Sequence, residues 1–154
     1  MKQHNSFALY RPNELVDFLN FLKENPDDSF VYVLVQPNSE VKIRYNSVTG
    51  EEKRINPPNI LPAREFGHFV FCLEQGTQVM YSPGPFVHKM KKNLKDIRAK
   101  DYVLCMGDPA IIAASCAIIS DVTQGQFSLL KWDRMDKRYF PIQYDLYQKG
   151  QTDE

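Results

Sequence analysis

The chain has 154 residues, 43% of them hydrophobic and 25% charged, a balance that excludes global disorder and predicts one domain with its own core. Lysine plus arginine and aspartate plus glutamate number 19 each, so no net field draws the whole molecule to nucleic acid or to a membrane surface. No apolar run approaches the roughly 20 residues of a bilayer span, and Met1–Ser6 leads into no long apolar segment, so a soluble cytoplasmic protein is expected.

Pro12 opens a helix over 12–24, with Leu15, Phe18, Leu19 and Leu22 on one face and Glu14, Asp17, Asn20, Lys23 and Glu24 on the other. Asn25-Pro26 stops it, because the residue before a proline resists the helical region. Phe30–Val35 is an unbroken apolar and aromatic run and predicts the central strand. Val41, Ile43 and Tyr45 then alternate with Lys42 and Arg44, and Ser47–Gly50 turns them into the polar return Glu51–Ile55, an exposed hairpin. The proline-rich Asn56–Pro62 reads as an ordered crossing loop in which Ile60 and Leu61 need cover.

Phe66–Leu73 predicts another strand, which Glu74-Gln75-Gly76-Thr77 turns into a short partner, Gln78–Tyr81. Beyond Ser82-Pro83-Gly84-Pro85 a helix is expected over 85–98. Phe86, Met90, Leu94 and Ile97 form its apolar stripe, and its remaining surface is basic.

The chain is organised around Asp101–Ile119. Tyr102–Met106 reads as a buried strand, Gly107 permits a sharp bend, Asp108 serves as a structural N-cap, and Pro109 sits where the first helical turn needs no N–H. Ala110–Ile119 has no polar face, which predicts a fully buried helix over 109–122. After a Gln124-Gly125 turn, Phe127–Trp132 and Tyr139–Leu146 read as a hairpin. Alternation puts Leu130, Trp132, Phe140, Ile142 and Tyr144 on a face that packs on the isoleucine-rich helix. Pro141 marks an edge strand or bulge, and the polar stretch 147–154 is expected to be a flexible tail. The predicted fold is a single α+β domain over 1–154. It has a mixed or mostly antiparallel sheet of about six to eight strands and three helices, one of them fully buried.

Chemistry is sparse. Lys89, Lys91, Lys92, Lys95 and Arg98 on the basic helix are candidate phosphate contacts, although a solvated lysine face is the common fate of an amphipathic helix. Gly107-Asp108-Pro109 opens a helix, but its aspartate would repel a phosphate, and neither GxGxxG nor GxxxxGK[ST] occurs. His4, His68 and His88 are scattered, and Cys72, Cys105 and Cys116 lie in apolar runs without a CxxC. Reduced, buried thiols and no metal site are therefore expected. With no GxSxG or HExxH, no catalytic residue and no cofactor is assigned, and an enzyme is the less favoured reading. Trp132, Tyr139, Phe140 and Tyr144 supply either core or an aromatic recognition surface.

The run Asp101-Tyr102-Val103-Leu104, Gly107-Asp108-Pro109, Gly125-Gln126-Phe127, Leu129–Arg134 and Lys137–Ile142 resembles the C-terminal part of short proteins encoded by tailed bacteriophages, marine ones included. The resemblance covers Asp101–Asp145. It implies a viral gene product acting in the bacterial host cytoplasm or built into a particle, and it brings no catalytic residue or ligand with it. The expected function is a small non-catalytic phage protein acting through protein–protein contacts or self-association. The alternative is a nucleic-acid-binding accessory protein using helix 85–98.

Overall fold

The computed structural model describes residues 4–148 and contains eight strands and three α-helices among them. The chain runs β1 (Ser6–Ala8), α1 (Pro12–Glu24), β2 (Phe30–Val35), β3 (Lys42–Tyr45), β4 (Glu52–Ile55), a 3-10 helix (Leu61–Phe66) and β5 (His68–Leu73). It continues through α2 (Gly84–Leu94), β6 (Tyr102–Leu104), α3 (Pro109–Thr123), β7 (Gln126–Asp133) and β8 (Arg138–Asp145). Six strands form one sheet in the order β1-β5-β2-β6-β7-β8, and β3 pairs only with β4.

The α+β class and the three helices agree with the sequence reading. The sheet is mixed, but it is mostly parallel: only β7 and β8 pair antiparallel within it. The reason is connectivity. Helices or long crossovers follow the early strands and return the chain to the end where it started, which enforces parallel neighbours.

β2 lies at the centre, buried along its whole length. Its period of two splits the core. Phe30, Tyr32 and Leu34 meet Phe18 of α1, Met90 and Leu94 of α2 and Ile111 and Ile119 of α3, while Val31 and Val33 join Phe69, Leu104, Leu130 and Tyr139 on the other face. Ile60 and Ala63, from the crossover between β4 and β5, cover that second face, whereas Leu61 stays exposed.

The start of β5 and the segment after it differ from expectation. Phe66 ends the 3-10 helix instead of opening β5, because Gly67 breaks the run at φ +151°. A Cβ there would stand 2.1 Å from the Ser29 carbonyl oxygen, so only glycine fits. Gln78–Tyr81 forms no strand: β5 is flanked by β1 and β2, so no free edge remains for a hairpin partner.

Helix α3 is not buried all round. Ile111, Ser115, Ile118 and Ile119 face inward, whereas Ala110, Ala113, Ala117 and Val122 are exposed. The sheet and α2 cover one side of the cylinder, and nothing among the described residues covers the other. Of the tail expected to fray, Tyr147 is exposed and 149–154 lie outside the described residues.

Candidate functional site

The turn into α3 is built from Gly107 and Asp108, with Pro109 opening the helix. Gly107, at φ +117°, lies so close to β2 that a Cβ would stand 2.5 Å from Val35 Cγ2. Asp108 then caps the helix: its Oδ1 accepts from the Ala110 N–H (2.8 Å) and its Oδ2 from the Val79 N–H (3.3 Å). At the far end Gln124 and Gly125 take positive φ, and the Gly125 N–H donates to the Ser120 carbonyl (2.8 Å).

Between these caps, the outward face of α3 presents Ala110, Ala113 and Ala117 to solvent. Asp121 is the only charged residue between Pro109 and Thr123. Beside it, a groove of about 430 Å³ is lined by Lys91 of α2 and by Ala117, Ile118, Asp121 and Val122 of α3.

The basic residues divide. Lys89, Lys91, Lys92 and Lys95 are exposed on and just beyond α2, while Met90, Asn93 and Leu94 turn inward. Asn93 Nδ2 donates to the Cys72 carbonyl (2.8 Å), which anchors the helix to β5. Arg98 leaves this set. Its guanidinium binds both oxygens of Asp101 and donates to the Pro26 and Asp28 carbonyls. α2 ends at Leu94 instead of running to 98, and beyond it the Arg98 N–H donates to Asp101 Oδ2 (3.0 Å) and not back into the helix.

His68, buried at the start of β5, has a carboxylate beside it. Its Nε2 is 2.9 Å from Asp28 Oδ2, and its Nδ1 accepts from the Asn5 N–H (3.0 Å). With a donor on Nδ1, Nε2 carries the proton, so both ring nitrogens are occupied in tying β1 to the loop before β2. His68 has no free nitrogen with which to act as a base. Among the described residues no group of three or more His, Cys, Asp or Glu side chains is placed to hold a metal ion.

The β7–β8 register corrects the expected aromatic face. Trp132 pairs with Tyr139 and Leu130 with Pro141, whereas Phe127 pairs with Tyr144 and Lys131 with Phe140. Opposite residues share a face, so Trp132 lies on the other side of the ribbon from Phe140 and Tyr144. The apolar residues of this last hairpin serve both faces of the sheet: Phe127 and Leu129 pack on the helix side, Leu130 and Tyr139 on the other. Trp132, Phe140 and Tyr144 are each nearly 40% exposed.

One relationship escaped the sequence reading altogether. The Cys105 thiol, just after β6, holds the pKa of the Cys116 thiol on α3 below its ordinary value. The only signal available was the tight Gly107-Asp108-Pro109 turn between them, which folds helix back against strand end.

A family model described as Phage Pam3 gp32-like protein matches residues 29–146, which span β2 to the end of β8. The chain belongs to this phage family. The match takes in the central strand, the α3 turn and the last hairpin, and so reaches well upstream of the Asp101–Asp145 stretch that carried the resemblance. Comparison with curated proteins and with solved structures gave no match. No helix among the described residues of this family member is long and apolar enough to cross a membrane.

Proposed function

We propose that this phage-family protein works by protein–protein contact, as a self-associating chain whose interface is the outward face of α3. The supporting observation is the stripe Ala110, Ala113 and Ala117, all exposed to solvent. A helix whose outer face meets water ordinarily carries several charges there, and this one carries only Asp121. Ala113 and Ala117 lie one turn apart, so a second helix can approach closely there. The adjoining groove carries one cation, Lys91, and one anion, Asp121, so the patch is complementary to itself across a two-fold axis. Such an assembly suits action in the host cytoplasm or within a particle.

Sedimentation velocity over a concentration series tests this reading. The wild-type chain is expected to give a dimer, and Ala113→Glu or Ala117→Glu a monomer with an unchanged circular dichroism spectrum. A wild-type chain that stays monomeric at the highest concentrations overturns it.

A second reading, nucleic-acid binding, rests on the exposed Lys89, Lys91, Lys92 and Lys95, none of which forms an ion pair among the described residues. Four phosphate contacts would make binding strongly salt-dependent. Gel shifts at low and moderate salt decide it, and binding untouched by Lys91/Lys92/Lys95→Glu ends it.

A further inference from the structure

The β3–β4 ribbon belongs to neither side of the core. β3 and β4 pair only with each other, and every residue from 39 to 54 is exposed. The shape of the ribbon is fixed all the same. Asn46 Oδ1 accepts from the N–H groups of Val48 (2.9 Å) and Thr49 (3.3 Å), and the Gly50 N–H donates to the Asn46 carbonyl (2.8 Å). Pro37 before β3 and Pro57-Pro58 after β4 restrict both stems. The register then sorts the side chains. Arg44 stands directly opposite Lys53, with Lys42 two residues back on the same face, while Ile43, Tyr45, Glu52 and Arg54 take the other. Glu40, Glu51 and Glu52 are near in sequence, yet none of these cations forms an ion pair among the described residues. Like charges placed directly opposite destabilise a ribbon, and a lone two-stranded hairpin is marginal in water to begin with.

We propose that the β3–β4 ribbon binds duplex DNA in the major groove, with Lys42, Arg44 and Lys53 on the phosphates. Phosphates relieve the Arg44–Lys53 repulsion, which no ion pair within the described fold does. The B-form major groove, about 12 Å wide, admits a two-stranded ribbon, whereas the deep, narrow major groove of A-form RNA does not. A single strand is the poorer fit, because the ribbon's one aromatic residue, Tyr45, lies on the face away from these three cations and offers no run of rings for bases to stack on. The ribbon shares no residue with the α3 face or with the α2 lysines, so it depends on neither the dimer nor the α2 reading.

Fluorescence anisotropy of the full chain with a short labelled DNA duplex of mixed sequence tests this. The wild type is expected to bind, and to lose affinity on the order of tens of fold between about 50 and about 200 mM salt, as three phosphate contacts require. Arg44→Ala/Lys53→Ala should bind about tenfold more weakly or worse, with a salt slope smaller by about two. Lys91/Lys92/Lys95→Glu should bind like the wild type. The double variant removes a like-charge pair from an exposed ribbon, so its melting temperature should match or exceed that of the wild type. A wild type that binds no duplex at low salt overturns the proposal, as does a double variant that binds equally well. A double variant that melts below the wild type overturns it too, since the two cations would then have partners within the fold. Loss of binding only in the lysine variant assigns the duplex to α2 instead. Displacement of the DNA by poly-glutamate as readily as by unlabelled duplex, or equal affinity for an RNA duplex, rules out the groove.

Discussion

Arg98 and Asp101 form a two-pronged pair inside one turn, with Nε 3.1 Å from Oδ2 and Nη2 3.0 Å from Oδ1. Asp101 is almost wholly buried and also accepts from the Phe30 N–H (3.1 Å), while Arg98 reaches the carbonyls of Pro26 and Asp28. The pair therefore fastens the segment entering β2 to the segment entering β6, and these are neighbouring strands of the central sheet. Removing the carboxylate leaves a guanidinium facing carbonyls alone and an unpaired N–H at the head of β2. Asp101→Ala is expected to cost about 3–5 kcal/mol in urea unfolding. A loss below about 1 kcal/mol, the scale of a surface ion pair, would contradict the assignment.

The same carboxyl sets a pH dependence. Burial raises its pKa above the ordinary carboxylate value, and the Arg98 hydrogen bonds and charge only partly oppose that rise. The native state thus holds this proton more tightly than the unfolded chain does. The stabilisation is fully present below the unfolded pKa and is lost as pH rises through the native one. Asp101→Asn cannot titrate, so the melting-temperature difference between variant and wild type should change across mild acid. A constant difference would show that Asp101 does not contribute.

Tyr32 offers a cleaner test of the core. Its hydroxyl is buried in the central strand with no hydrogen-bond partner among the described residues, and burial is the main cause of its raised pKa. Removing an unpaired polar atom while keeping the ring relieves a desolvation cost, so Tyr32→Phe should be neutral or stabilising by about 1 kcal/mol. A clear loss of stability would reveal a partner for the hydroxyl.

The two sides of α3 should respond differently to truncation. Ile119 is fully buried against the sheet, and Ile119→Ala is expected to cost about 2–5 kcal/mol through lost burial and a residual cavity. Ile112 is only partly buried, so Ile112→Ala should cost clearly less. Equal losses in chemical denaturation would mean that the helix is enclosed on all sides after all.

Thiol reactivity gives an independent reading of the strand-to-helix turn. Iodoacetamide should modify Cys116 with a pH midpoint of about 7, while burial keeps the Cys72 thiol protonated and shielded in the folded chain. Peptide mapping over a pH series measures both, and a Cys116 midpoint at the ordinary thiol value would show that the Cys105 thiol does not act on it.

The local elements were written in the chain itself. Pro12 and Asn25-Pro26 bracket α1, the run Phe30–Val35 is β2 residue for residue, and Asp108 and Pro109 start α3. Each follows from short-range rules: helical or strand periodicity, a cap, a residue that cannot continue a helix. Tertiary structure alone decided which neighbours those elements met. The return of each crossover made most of the sheet parallel, the occupied edges of β5 denied Gln78–Tyr81 a partner, and the β7–β8 register sent Trp132 to the face opposite Phe140. Arg98 counts as a surface cation by its place in a basic run, yet it is drawn onto Asp101 because two strand entrances converge there. The apolar character of Ala110–Ile119 was legible from the start. That one side of it stays open follows only from how few surfaces this fold brings to bear on a cylinder.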